Sequence, residues 1–164
     1  MRIEKPGGSE RTDIAEGADA GLALLQGAAD RLVGGGLQPD RLAALRAIPD
    51  ATQVEPDLVV AALGAYLGGI AAGRFPRSDE ALWELGMVYG ACIVKRLTWR
   101  WRLVFVEDAD TAAQVGIVSP AEDTVVLPAS IVARSVERNT LVLEYKLLAG
   151  GSVPAAAKGP TVLA

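Results

Sequence analysis

The pattern Leu-Gly-x-x-x-Gly occurs twice in the chain, with its glycines at Gly64 and Gly68 in the first copy and at Gly86 and Gly90 in the second. A glycine inside a helix costs roughly 1 kcal/mol relative to alanine, so two glycines on one helical face indicate close approach of another backbone. We expect the two glycine pairs to face each other. The repeat therefore predicts a tight helix hairpin, which leucine at Gly68 or Gly90 should disrupt.

Both helices of this hairpin have recognisable ends. The first begins at Pro56, and the following run from Leu58 to Ala72 has no charged residue, so it should be buried nearly all round. The second has Asp79 in its first turn and Lys95 and Arg96 in its last, which suits the helix dipole at both ends.

The apolar period changes to two after the second helix. Trp99 and Trp101 then alternate with Arg100 and Arg102 in a strand that continues to Val106. Further strands are predicted over 113–118 and 124–127, with turn residues between them. The three strands predict an antiparallel meander.

The C-terminal part of the chain predicts one or two helices. Pro128 opens the first, and Asn139 ends it. Residues 140–148 fit either a helix, through Leu141, Tyr145 and Leu148, or an alternating strand, and the helix is favoured. The fold class is therefore α+β: N-terminal helices with the Gly-packed hairpin, a three-stranded antiparallel meander, and one or two C-terminal helices.

The domain prediction follows from periodicity. Residues 1–11 lack it and predict a flexible lead-in, 12–149 predict a single α+β domain, and 150–164 predict a disordered tail rich in alanine and proline. A hydrophobic content of 51% in 164 residues is enough for one core.

Composition excludes several function classes. The chain has no histidine and one cysteine, Cys92, which rules out a Ser-His-Asp triad, a Cys-His pair and zinc sites built from histidine or several cysteines within one chain. We expect no catalytic residue, cofactor or metal. The lone cysteine and the lack of an apolar stretch in the first nine residues predict a cytoplasmic protein without a secretory signal.

Four cations form the main candidate binding surface: Lys95, Arg96, Arg100 and Arg102. Their interleaving with Trp99 and Trp101 is typical of single-strand nucleic-acid sites. Strand alternation places arginines and tryptophans on opposite faces, however, and the net charge is −4. A solvated outer sheet face is the simpler interpretation, an anionic protein patch is the next, and we expect no nucleic-acid partner.

Other charged and glycine-rich segments are weaker candidates. The acidic turns at 107–110 and 122–123 should lie at opposite ends of the meander, so they should not share a metal ion. Gly34 to Gly36 suit a helix stop better than a phosphate cradle. The uncharged run from Leu58 to Gly73 is 16 residues long, below the roughly 17 to 25 that cross a bilayer, so we expect no membrane partner. The apolar content is compatible with self-association.

A resemblance rests on three features: Leu85-Gly86-x-x-x-Gly90, the Trp99/Trp101 strand and the helix that opens Pro128-x-x-Ile131-Val132. Their order resembles small uncharacterised bacterial domains of unknown function with a Leu-Gly-x-Tyr-x-Gly then Trp signature. Some of those domains look like immunity or accessory proteins of bacterial conflict and secretion systems. The resemblance covers about residues 56–148 and implies no catalytic residue.

Three functional hypotheses follow. The first is a non-enzymatic protein-interaction module, of the immunity, adaptor or accessory type, with an unidentified protein partner. The second is a small-ligand binder or an enzyme using carboxylates and arginine, with its pocket at the junction of hairpin and sheet around Tyr66, Tyr89 and Arg102. The third is a membrane-associated component.

Overall fold

A computed structural model describes residues 1–34, 37–106, 113–152 and 160–164. The helices are α1 (Gly8–Gly27), α2 (Pro39–Arg46), α3 (Pro56–Ala71), α4 (Asp79–Leu97), α5 (Pro128–Arg138) and α6 (Leu141–Ala149). The strands are β1 (Arg2–Glu4), β2 (Arg100–Phe105), β3 (Gln114–Val118), β4 (Thr124–Val126) and β5 (Thr161–Leu163). The α+β class predicted from the sequence is confirmed.

The described strands form one sheet in the order β1-β2-β3-β4-β5. The predicted meander is its centre, since β2, β3 and β4 are joined antiparallel. The flexible lead-in is wrong for residues 2–4: Ile3 lies opposite Val104 and contributes to an apolar cluster, which holds β1 on β2. Helix α1 also begins at Gly8, before the predicted end of the lead-in.

The predicted disordered tail is wrong at its far end. Thr161–Leu163 form β5, which adds to β4 in parallel, and Leu163 packs against the main core. Residues 153–159 of that segment lie outside the described residues. The favoured helix over 140–148 is confirmed, because Leu141, Tyr145 and Leu148 bury one face of α6.

Helix α4 has the ends that its sequence predicts. The Ser78 side chain accepts a hydrogen bond from the Ala81 amide, and Thr98 ends the helix in the left-handed conformation. The acidic first turn and the basic last turn match the helix dipole. This helix packs against α1, α3, α5 and β3.

The predicted glycine-to-glycine hairpin is wrong. A Cβ atom on Gly86 would meet the backbone of Ala129 in α5, and one on Gly90 would meet the Trp101 ring. Gly64 instead faces Val142 of α6, and a Cβ atom on Gly68 would meet nothing within 4 Å. Although α3 and α4 are neighbours, their glycines point away from each other, so leucine at Gly68 has no helix to displace.

Another close helix contact joins α1 to α4. A Cβ atom on Gly21 would lie 2.3 Å from the carbonyl oxygen of Glu84, and one on Gly17 would lie 2.3 Å from the Trp83 ring. Only glycine permits this approach, because a backbone carbonyl cannot rotate away as a flexible side chain can.

Both faces of the sheet carry apolar clusters. Trp99 and Trp101 are half-buried against the helical core, on the inner side. The outer side holds a second cluster of Val104, Val118, Val125 and Leu127 with Met1 and Ile3. The interpretation of the outer face as solvated is therefore wrong at Val104, which is buried there, whereas Arg100 and Val106 on the same face are exposed.

Candidate functional site: a basic groove between α3 and α6

A groove of about 1060 Å³ runs between α3 and α6. One stripe of α3 forms its floor, and α6 forms a wall through Val142, Leu143, Tyr145 and Lys146. We call it the α3–α6 groove. It gives the molecule a concave surface large enough for a segment of another molecule.

The floor consists of small residues at helical spacing: Ala61, Gly64, Ala65 and Gly68. All four are half-buried, whereas the rest of α3 is largely buried. The sequence predicts that α3 is buried nearly all round, and this half-buried face is the exception. Val142 of α6 already lies over Gly64, whereas Gly68 is open and lets a bound backbone come close to the helix.

The rim of the groove is strongly basic. Arg41 comes from α2, Arg74 follows α3, Arg96 lies in the last turn of α4, and Lys146 lies on α6. Within the described ranges, none of the four takes part in an ion pair. Four cations around one cavity favour a negatively charged occupant.

The acidic residue that lines the groove is Asp57, and its carboxylate is hydrogen-bonded. The Tyr145 hydroxyl donates a hydrogen bond of 2.8 Å to Asp57 Oδ1, which joins α6 to the first turn of α3. Burial, followed by this hydrogen bond to the carboxylate, raises the pKa of Tyr145. The phenol therefore stays neutral and serves as a donor near neutral pH.

An apolar edge completes the groove. Leu143 lines it and is 58% exposed, and Leu147, one turn further along α6, is 46% exposed. Large exposed aliphatic side chains beside a concave surface are typical of binding sites for amphipathic partners.

The four cations singled out in the sequence do not form one surface. Arg96 lines the α3–α6 groove, and Lys95 lines a different cavity beside α1. Arg100 and Arg102 lie together near Ser119, and Arg102 donates a hydrogen bond of 2.9 Å to the Trp101 carbonyl. Consecutive residues of a helix point about 100° apart, which separates Lys95 from Arg96. Arg100 and Arg102 lie on β2 and therefore belong to the sheet.

The predicted pocket around Tyr66, Tyr89 and Arg102 is wrong. Tyr66 is buried and stacks on Phe75, with ring centroids 4.4 Å apart. Tyr89 lies in a separate cavity of about 240 Å³, and Arg102 lies on the other side of the sheet. The three side chains therefore lie in separate surroundings and line no common pocket.

A second cavity, of about 560 Å³, lies at a junction of helices and sheet, between α1, α4 and Trp101. Its walls include Ile14, Ala18 and Val94, and charged residues of both signs stand at its rim, Asp50 and Lys95 among them. Hydrogen bonds from Thr52 lower the pKa of Asp50, which keeps that carboxylate ionised.

The remaining reactive groups are held in structural roles. Cys92 is fully buried, and burial raises the pKa of its thiol, so it is protonated at neutral pH. The hydroxyl of Ser119 donates to Asp123, which lowers the pKa of that carboxyl. The acidic turn at 107–110 and the last two glycines of Gly34 to Gly36 lie outside the described residues.

Two further features are missing from the part of the chain that the structure describes. No cluster of three or more cysteine, aspartate or glutamate side chains there could hold a metal ion. No helix in those ranges has the length and apolarity to cross a membrane.

No family model matches the chain, and no curated protein or solved structure matches it either. Sequence reasoning missed the groove because Arg41 and Arg74 lie far apart in the chain; the usable signal was the small residues 61, 64, 65 and 68 at helical spacing.

Proposed function

We propose that the protein is a non-enzymatic protein-interaction module whose partner places an acidic, amphipathic segment in the α3–α6 groove. The observation that carries this proposal is the rim of Arg41, Arg74, Arg96 and Lys146 above a floor of alanine and glycine. Such a groove suits a helix with glutamates toward the rim and aliphatic side chains toward the floor and Leu143. The adaptor, accessory and immunity types all fit this activity.

Protein is a better occupant than nucleic acid for two reasons. The aromatic residue lining the groove is Tyr145, which is 4% exposed and offers no face for a base to stack on. The chain also carries a net charge of −4, which opposes binding to a long polyanion. A cytoplasmic location is part of the proposal and is supported by Cys92, which is buried and in no disulfide.

The proposal is tested with a fluorescent peptide built from glutamate, leucine and alanine in a helical amphipathic pattern. Binding measured by anisotropy should weaken as salt rises, because the attraction is between charges. The charge-reversal variant Arg74→Glu should weaken binding by about tenfold, the effect expected from loss of one close charge pair. The matched control Arg100→Glu makes the same charge change on the sheet and should leave binding unchanged.

A steric variant tests the floor independently of charge. The Cβ atom of a leucine at Gly68 would meet nothing within 4 Å, and leucine has a higher helix propensity than glycine, so the variant should remain folded. It should nevertheless block the peptide. Peptide binding that survives Gly68→Leu, or tighter binding of a single-stranded oligonucleotide of similar charge, would refute the proposed function.

A second candidate function is the binding of a small, mainly apolar ligand in the cavity beside Trp101. Its volume of about 560 Å³ and its aliphatic walls support this proposal. Ala91→Leu fills the cavity, and Ala23→Leu is a matched change at an exposed position of α1. An environment-sensitive dye such as anilinonaphthalene sulfonate should lose binding in the first variant only; equal binding by both variants would exclude this site.

A further inference from the structure

Strand β5 differs from the other described strands in how it joins the sheet. It pairs in parallel with β4 over three residues, Thr161 to Leu163, whereas the other pairs are antiparallel. It follows α6 in the chain, and residues 153–159 between them lie outside the described residues. Parallel pairing is slightly less stable per residue than antiparallel pairing, so this edge is held weakly.

The contacts of β5 are those of an added peptide. The Thr161 amide donates to the Asp123 carbonyl at 2.8 Å, and the Leu127 amide donates to the Leu163 carbonyl at 2.7 Å. The guanidinium of Arg134 also donates to the backbone oxygen of Ala164. Main-chain hydrogen bonds to a sheet edge, with alternate side chains in pockets, define strand addition as a mode of peptide recognition.

Alternate side chains of β5 have different surroundings. Leu163 packs against the main core and lines the 240 Å³ cavity with Tyr89, Ile131 and Leu148. Val162 also borders this cavity, but strand alternation turns its side chain toward the other face of the sheet, where it is 42% exposed and not part of the main core. The site at this sheet edge therefore selects a bound strand by the side chain at the position of Leu163.

The 240 Å³ cavity is lined by polar atoms to which β5 makes no hydrogen bond. Arg134 donates to Glu144 Oε1 at 2.6 Å, yet Arg134 Nε and Glu144 Oε2 are buried without a hydrogen-bond partner in the described structure. Buried polar atoms without partners are costly, and a longer or more polar ligand could satisfy them.

We propose that the edge of β4, together with the cavity under Arg134, is a binding site for an extended peptide segment of a partner protein. That segment carries a leucine or similar aliphatic residue at the position of Leu163, and the chain's own residues 160–164 occupy the site until the partner displaces them. The site is independent of the α3–α6 groove, so failure of one proposal leaves the other standing.

The direct test uses full-length variants and a labelled peptide with the sequence of residues 160–164, Pro-Thr-Val-Leu-Ala. Leu163→Asp should release the chain's own segment and bind the peptide at least about tenfold more tightly than the wild type does. Val162→Asp introduces the same charge on the exposed side and should bind the peptide no better than the wild type. A peptide with aspartate in place of its leucine should not bind.

Hydrogen exchange on the wild-type protein gives a second test that needs no variant. The Leu127 amide, which β5 protects, should exchange about tenfold faster or more than the Tyr89 amide in the middle of α4, because the segment opens without global unfolding. Exchange of both amides at one common rate would show that β5 is an integral strand and would overturn the proposal. A folded Leu163→Asp variant that fails to bind the peptide would overturn it as well.

Discussion

The same substitution, glycine to alanine, should have opposite effects at two helical positions of this protein. At Gly21 the new methyl group would lie 2.3 Å from the carbonyl oxygen of Glu84, where ordinary contact begins at 3.4 Å. Helices α1 and α4 would have to separate by about 1 Å, which a close-packed interior resists. At Gly68 the methyl group meets nothing within 4 Å.

The magnitudes follow from two opposing effects. Overpacking a core costs typically about 1–3 kcal/mol, and we expect the upper end at Gly21 because the obstacle is backbone. Alanine has a helix propensity about 1 kcal/mol more favourable than that of glycine, which offsets part of the overpacking cost of about 3 kcal/mol. Gly21→Ala should therefore lower the free energy of unfolding by about 2 kcal/mol. Gly68→Ala has the propensity gain alone and should raise it by about 0.5–1 kcal/mol.

Urea unfolding followed by circular dichroism measures both changes. A thermal scan should show Gly21→Ala melting about 4–8 °C below the wild type, since 1 kcal/mol corresponds to about 2–4 °C for a chain of this size. If Gly21→Ala were as stable as the wild type, the α1–α4 contact would not be as close as we describe. Destabilisation by Gly68→Ala would contradict the open groove.

Three further predictions concern single interactions. Tyr145→Phe removes the hydrogen bond to Asp57 and should lower the free energy of unfolding, measured in urea, by about 1 kcal/mol, less than for a fully buried charged hydrogen bond because Asp57 is exposed. In the Asp57→Ala background, which has no acceptor, the same change should have no such effect, and an equal loss there would show that this bond is not the cause. Ser78→Ala removes the cap of α4 and should cost about 1 kcal/mol, whereas the exposed Ser9→Ala should cost little. Burial raises the pKa of all three tyrosines above the ordinary value of 10, so in the folded protein tyrosinate absorbance should appear only above pH 10. The stability that comes from keeping them neutral should be fully present below pH 10 and should fall as pH rises through the raised pKa values. Titration of any tyrosine at its ordinary pKa in the folded protein would contradict this burial.

The helices were predictable because their signals are local. Pro56, Ser78 and Pro128 mark helix starts by chemistry that needs no distant partner, and the structure begins or caps a helix at each. The change of period at Trp99 likewise predicted β2, because alternation depends on neighbouring residues alone. The weakly periodic segments around β1 and β5 could not be predicted this way, since each is a strand only because another strand pairs with it.

The glycine repeat shows where local reasoning ends. Spacing established that Gly86 and Gly90 lie on a helical face that something approaches closely, and Ala129 and Trp101 do so. Spacing could not say which element would approach, and it gave no warning that Gly68 faces open space. The approaching element is chosen by the packing of whole helix faces, which joins residues far apart in the chain.

The sequence by itself determined the class of fold, the positions of most helices and the central meander, and the absence of histidine chemistry. Tertiary structure alone decided the candidate sites: it gathered Arg41, Arg74, Arg96 and Lys146 around one groove, separated Tyr66 from Tyr89, and placed β5 on the edge of β4. The physical reason is the distance along the chain over which each interaction acts. Helix caps and periodicity act over a few residues, whereas a groove or a sheet edge forms only when distant segments are brought together by burial of their apolar faces.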